Sequence, residues 1–215
     1  MRPANDPRVD YKDLVKQGYD RCASAYDAAR QREANPELEL IASRLSEGAR
    51  ILDIGCGAGV PIARALSGRF SVTGIDISGE QIRLARQNVP AGAFLQSDVM
   101  TVDFSDASFD AVVSFYTIFH IPREEHEELF RRIRRWLKPG GYVLASVAAQ
   151  EEDPYTEDDF FGVRMYWSNY GLAHYVELLK KLGYQLIETE VIEHGYTDGR
   201  ERPVERHPLI FARAM

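Results

Sequence analysis

From Arg50 to Val147, short apolar runs alternate with stretches of helical period, the pattern of βαβ units feeding a parallel sheet. The runs predict strands at Arg50–Ile54, Ser71–Ile75, Ala93–Leu95, Ala111–Phe115 and Tyr142–Val147. Gly59–Leu66 reads as the first crossover helix, with Pro61 tolerated in its opening turn. Ser78 and Gln81 have capping-box spacing and open a helix that ends near Asn88. A further helix starts at Pro122 and puts Leu129, Ile133, Trp136 and Leu137 on one face. Its early glutamates (Glu124, Glu125, Glu127, Glu128) and late arginines (Arg131, Arg132, Arg134, Arg135) suit the helix macrodipole. Pro139-Gly140-Gly141 ends it.

Two regions lie outside this alternation. Between Val9 and Arg30, Tyr11, Val15, Tyr19, Cys22 and Tyr26 recur near helical spacing, which predicts one amphipathic helix or two short ones. Gln150–Asp159 is acidic, holds Pro154 and reads as a surface connection, and Phe160–Tyr170 is unusually aromatic. Leu172, Tyr175, Val176, Leu179 and Leu182 then form a helical stripe that Gly183 can terminate. Tyr184–Glu193 and Pro208–Ala212 read as a closing antiparallel pair around a loop containing Asp198-Gly199.

Length and charge narrow the options. A chain of 215 residues can bury the core of one α/β domain without a disulfide or metal staple. Its 26 basic and 33 acidic residues give a net charge of −7, which argues against a nucleic-acid partner. The arginines of the Pro122 helix read as a solvated face. No run of 18 apolar residues and no apolar leader after Met1 are present, so a cytoplasmic protein without membrane contact is expected. Cys22 and Cys56 lack metal-ligand spacing, and no metal is assigned.

The sharpest chemical signal is Ile51-Leu52-Asp53-Ile54-Gly55-Cys56-Gly57-Ala58-Gly59, a buried strand running into a glycine-rich turn and a helix. Glycines allow a tight turn and let a ligand approach closer than a Cβ would permit. A dinucleotide-binding loop would need its third glycine where Val60 stands. Asp53 would also repel a pyrophosphate seated on the helix N-terminus. The same carboxylate suits a cationic, phosphate-free ligand such as S-adenosylmethionine.

With Ile75-Asp76 after the second strand, Ser97-Asp98 after the third and Leu137-Lys138-Pro139-Gly140-Gly141 before the fifth, residues 45–150 resemble the class I S-adenosylmethionine-dependent methyltransferases. The resemblance implies a doubly wound, Rossmann-like sheet of seven strands, mostly parallel with an antiparallel final strand, and helices on both faces. It implies a single domain: an N-terminal helical lid (1–40), the cofactor-binding core (45–150), an aromatic substrate cover with its helix (151–183) and closing strands (184–215). It places Asp53, Gly55, Cys56 and Gly57 at the methionine moiety, Asp76 on the ribose hydroxyls with Ile77 at the adenine, and Asp98 and Val99 at the adenine amino group. Gln81 and Phe115 join this cofactor set. Tyr19 and Tyr26 resemble the family's tyrosine-rich lid, although tyrosines at helical spacing also pack on cores.

The stretch after the fourth strand, Ser114 to Pro122, lacks the Asn/Asp-Pro-Pro-aromatic motif of the amino-directed nucleic-acid members. A small-molecule acceptor, methylated at O or N and largely apolar or aromatic, is the leading expectation, with S-adenosylhomocysteine as the co-product. Tyr116, Tyr166, Trp167, Tyr170 and His174 are its candidate lining residues, and the aromatics could instead merely pack the last helix. His120, just past the fourth strand's end, is the candidate general base, with capping of the Pro122 helix as its alternative role. His126, His194 and His207 are assigned no chemistry. A protein or RNA methyltransferase with a recruited partner, which a basic groove would favour, stays open. So does a non-methylating user of the cofactor such as a cyclase, which a closed pocket without acceptor space would favour.

Overall fold

The computed structural model describes residues 2–4, 6, 9–29, 35–193 and 206–215. In chain order, β1 (Arg2–Pro3), α1 (Tyr11–Ala29) and α2 (Glu39–Ala42) lead into β2 (Arg50–Ile54), α3 (Ile62–Leu66), β3 (Ser71–Asp76), α4 (Gly79–Asn88) and β4 (Ala93–Gln96). Then come β5 (Phe109–Ser114), α5 (His126–Trp136), β6 (Leu137–Ser146), β7 (Glu152–Phe160), β8 (Val163–Asn169), α6 (Leu172–Lys181), β9 (Tyr184–Ile192) and β10 (His207–Ala214).

Seven strands make the main sheet, in the order β4-β3-β2-β5-β6-β10-β9. Strands β2 to β6 run parallel, and β10 is antiparallel to both β6 and β9. This is the Rossmann-like sheet that the sequence predicts. Alternate residues of β2 serve opposite layers, as a pleated strand requires. Ile51 joins the cluster with Ile62, Leu66 and Ile82 of α3 and α4, and Leu52 and Ile54 join Ile133, Trp136 and Leu179 of α5 and α6. The order reverses at β2, which has β3 on one side and β5 on the other, so a crevice opens at the carboxyl ends of these strands.

Some boundaries differ from expectation, each for a local reason. The first crossover helix starts at Ile62 rather than Gly59, because Gly55, Gly57 and Gly59 all take positive φ (68°, 52° and 76°) and spend residues 55–61 on the turn. Strand β6 begins at Leu137, ahead of Pro139-Gly140-Gly141, and its register with β5 shifts between Phe109 and Ala111 to absorb these residues. The region from Val9 to Arg30 is one helix through Ala29. The loop containing Asp198-Gly199 lies outside the described residues.

The larger correction concerns residues 150–159, which are not a surface connection. Most of them form β7, which pairs antiparallel with β8 and with β1 to give a second sheet in the order β1-β7-β8. Pro154 is accommodated where the β7–β8 register is irregular, between Glu152 and Tyr155, so its missing N–H costs no ladder bond there. Glu152, Asp153, Asp158 and Asp159 of β7 face solvent, and Thr156 and Phe160 are buried. Helix α1 lies against β8 through a small core of Val15, Cys22, Phe160, Val163, Met165 and Tyr166. Gly18 permits the contact: a Cβ there would stand 2.9 Å from Met165 Cε and 3.2 Å from the Arg164 carbonyl oxygen.

Gly74 in β3 gives a sharp test of how closely the sheet meets its cover. A Cβ there would lie 2.6 Å from Phe94 Cδ1 and 2.8 Å from Cys56 Sγ. Gly74→Ala is therefore expected to destabilise by about 1–3 kcal/mol, as overpacking does. Urea unfolding measures it, and an unchanged midpoint would show that Phe94 moves aside freely. No helix among the described residues is long and apolar enough to cross a membrane.

Candidate active site

The crevice between β2, β3 and β5 deepens into one cavity roofed by α1. Asp53, Gly55, Cys56, Gly57, Asp76, Ile77, Gln81, Asp98, Val99, Phe115, Tyr19 and Tyr26 all line it, as do His120 and Tyr116. Residues far apart in sequence thus meet at one place. The glycine turn is held by Gly55 and Cys56 N–H donating to the Ile75 carbonyl, at 2.8 and 3.0 Å. At Gly55 a Cβ would overlap the Thr117 side chain, and this close approach, together with φ of 68°, requires glycine.

Asp76 ends β3 with both carboxylate oxygens aligned by backbone donors. Gly57 N–H donates to Oδ2 at 3.0 Å and Ser78 N–H to Oδ1 at 2.9 Å. The cap of α4 is Ser78, whose Oγ accepts from Gln81 N–H at 3.2 Å, so Asp76 is not spent as an N-cap. Asp98 accepts Met100 N–H at 2.8 Å on Oδ1 and the Lys12 ammonium at 3.2 Å on Oδ2. Lys12 also pairs with Glu125 at 2.5 Å, and Asp20 of α1 accepts from Ser78 Oγ at 2.7 Å and Glu80 N–H at 3.2 Å. The roof is thereby tied to the loops after β3 and β4.

Three buried polar atoms in this wall have no hydrogen-bond partner among the described residues: Asp53 Oδ2 and both amide atoms of Gln81. Such atoms are costly when left unsatisfied and call for a ligand that both donates and accepts. Burial, with the Asp76 charge adding to it, raises the Asp53 pKa to about 7. Burial also raises Asp76 to about 6, although the Ser78 and Gly57 N–H groups pull against it. Both values lie above the ordinary 3.8, so the folded chain holds these protons longer than the unfolded chain does. Their contribution to stability therefore falls as pH rises from about 4 through about 7. Asp53→Asn removes the Asp53 share. Its melting temperature, measured without ligand, is expected to exceed the parent's by a margin that widens from pH 5 to pH 8; a difference that stays flat with pH would contradict the assignment.

His120 closes the short 3₁₀ turn Ile118–His120 beyond β5 and is buried. Its Nδ1 lies 2.8 Å from the Tyr166 carbonyl oxygen, and its Nε2 lies 2.9 Å from the Tyr19 hydroxyl. A carbonyl only accepts, so Nδ1 carries a proton, and Nε2 faces the Tyr19 hydroxyl on the cavity side. Phe119, Phe160, Trp167 and Tyr19 surround the ring, with centroids 5.1 to 6.5 Å away.

The expected substrate-lining residues divide. Tyr116 faces the cavity with φ of 57°, its N–H donating to Ser146 Oγ at 2.7 Å. Tyr166 and Trp167 stand behind His120; Tyr166 supplies its carbonyl there, and its ring stacks on Tyr11 at 4.6 Å. Tyr170 and His174 are not in the cavity wall: they stack on each other at 3.8 Å, beside His126 and under Arg123. The sequence reading missed Lys12, Asp27 and Thr117, which also line the cavity. Lys12 lies on the helical stripe with Val15, Tyr19 and Tyr26, and that periodicity could have found it. Its ion pair with Asp98 has no local sequence signal.

The cavity wall carries Asp27, Asp53, Asp76 and Asp98 against the paired Lys12, an excess of negative charge suited to a cationic ligand. Two arginines of α5 are engaged elsewhere, Arg131 with Glu127 and Glu128 and Arg135 with Asp103 and Asp106. Among the described residues, no cluster of His, Cys, Asp and Glu could hold a metal ion.

A glycine turn, an acidic residue at each of three successive strand ends and a Rossmann-like sheet with an antiparallel closing strand define a nucleoside-binding enzyme of the class I methyltransferase type. Residues 51–141 match the model of a methyltransferase domain. The chain is 33% identical over 149 residues to the malonyl-[acyl-carrier protein] O-methyltransferase of Erwinia pyrifoliae, covering 67% of this chain and 55% of that protein. It is 32% identical over 162 residues to phosphoethanolamine N-methyltransferase 3 of Arabidopsis thaliana, covering 72% of this chain and 31% of that one. A solved S-adenosylmethionine-dependent methyltransferase of Methanosarcina mazei shares the fold, with a TM-score of 0.71 and 23% identity over 85% of this chain and 99% of that one. The chain belongs to the class I S-adenosylmethionine-dependent methyltransferases, and S-adenosylmethionine is the cofactor of that family. It spans about half the length of the first curated relatives that it matches.

Proposed function

We propose that this chain moves a methyl group from S-adenosylmethionine to an O or N atom of a small, largely apolar or aromatic acceptor. The orphaned polar atoms support the cofactor's place: Asp53 Oδ2 is set to receive its ammonium, and the Gln81 amide to meet a group that both donates and accepts. Asp76 would take the ribose diol on the lone pairs its two backbone donors leave open, and Asp98 the adenine amino group. The cofactor supplies the electrophilic methyl and its own leaving group. The protein's work is then to bind, to align the acceptor and to exclude water. Helix α1 and the β7–β8 hairpin are the cover in this reading.

The observation that carries the acceptor chemistry is the pair Tyr19–His120. A hydroxyl or an ammonium acceptor must lose a proton, and the Nε2 lone pair of His120 is the group placed to take it. The Tyr19 hydroxyl at 2.9 Å marks where an acceptor's O–H or N–H would reach that nitrogen. The aromatic rings that do line the cavity, Tyr19, Tyr26, Phe115 and Tyr116, favour an apolar or aromatic acceptor over a densely charged one. The named relatives act on acceptors as different as a malonyl-[acyl-carrier protein] and phosphoethanolamine, so the family itself does not choose among them. Release of S-adenosylhomocysteine measured against a panel of phenols, carboxylates and amines tests the reading. Turnover with apolar phenols or amines supports it, and turnover confined to carboxylates or to protein-bound acceptors overturns the acceptor class.

A further inference from the structure

A buried titratable group that this chemistry leaves unused is His126, the first residue of α5. It is fully buried and lies six residues beyond His120. Its Nε2 stands 2.9 Å from the Ile121 carbonyl oxygen and its Nδ1 2.9 Å from the Tyr175 hydroxyl. The carbonyl only accepts, so Nε2 carries the proton and Nδ1 accepts from Tyr175. Burial lowers the His126 pKa to about 4 and raises that of Tyr175, so the ring stays neutral and keeps one tautomer near neutral pH. Tyr175, also fully buried, accepts the Tyr170 N–H at 3.3 Å and lies nearly parallel to the His126 ring, 5.8 Å away. Helix α6 thereby braces the start of α5.

Ile121 is the residue directly after His120. The turn between them is short: His120 N–H donates to the Thr117 carbonyl at 2.9 Å and Ile121 N–H to the Ile118 carbonyl at 3.0 Å. His126 grips the exit of this turn, while the Tyr166 carbonyl grips the His120 ring from the β8 side. We propose that His126 is a positioning residue, which fixes the turn so that His120 presents Nε2 to the cavity. The proposal rests on the reading of His120 as the base and deepens it: the chain of contacts runs from Tyr175 through His126 and Ile121 to the catalytic ring.

The experiment is imidazole ¹⁵N NMR of the full chain with S-adenosylhomocysteine added, for the parent and for His126→Leu, His126→Gln and Tyr175→Phe. The parent is expected to show His120 as a single Nδ1–H tautomer. His126→Leu should keep affinity for S-adenosylhomocysteine within about twofold while the His120 signals shift or average between tautomers. His126→Gln, whose amide can donate to the Ile121 carbonyl, should restore them. If His126→Leu does not fold, Tyr175→Phe carries the test, with a smaller shift of the same signals expected. His120 signals identical to the parent's in His126→Leu, or in Tyr175→Phe where the leucine variant does not fold, would overturn the proposal. Failure of the underlying reading would look different: His120→Ala would lose less than tenfold in turnover while the His120 signals still respond to His126→Leu.

Discussion

His120→Ala is expected to bind S-adenosylhomocysteine about as well as the parent while losing roughly 10²–10⁴ in turnover, the usual worth of a placed general base. Binding is expected to be spared because in the proposed reading His120 meets the acceptor, whereas Asp53, Asp76 and Asp98 hold the cofactor. Turnover is expected to fall because the imidazole that lines the cavity beside Tyr19 is lost. The pH profile should change in a definite sense. A base works only when unprotonated, so the parent's rate rises with pH through the His120 pKa, and this acidic limb should vanish in the variant. A loss under tenfold with the limb intact would make His120 structural and leave alignment as the source of rate.

Asp76→Ala should weaken S-adenosylmethionine by roughly tenfold or more, since a hydrogen bond to a buried charged group is worth about 1.5–3 kcal/mol. Two effects add. The carboxylate that would receive the ribose diol is gone, and Gly57 N–H and Ser78 N–H lose their acceptor, so the glycine turn loosens. Asp76→Asn separates them. Its amide oxygen can still accept the Ser78 N–H, but a donor replaces the acceptor facing Gly57, so an intermediate loss is expected. Calorimetry on both variants is the check, and unchanged affinity in Asp76→Ala would remove Asp76 from the site.

The core of the fold was readable because its signals are local. Strands β2 to β5 are short apolar runs, Ser78 caps α4 where its spacing with Gln81 predicts, and the glycines of residues 55–59 mark the turn. The acids at three strand ends met in one cavity because parallel topology brings every strand's carboxyl end to the same edge. What was not readable depends on distant pairing. The acidic, proline-bearing Glu152–Phe160 lacks a clean strand signature, and it becomes β7 because β8 and the two residues of β1 supply its ladder. Tyr170 and His174 looked like cavity aromatics by composition; α6 instead turns them toward His126 and Arg123. The Tyr166 carbonyl that sets the His120 tautomer is a backbone atom, which no side-chain pattern announces.

The central claim is that the β2 loop and the acids at the three strand ends form a site for S-adenosylmethionine and not for a dinucleotide. Isothermal titration of the chain with S-adenosylhomocysteine and, separately, with NAD tests it most directly. One-to-one binding of S-adenosylhomocysteine is expected, strengthening between pH 5.5 and 8 as Asp53 ionises, with no comparable heat from NAD. Preferential binding of NAD would contradict it.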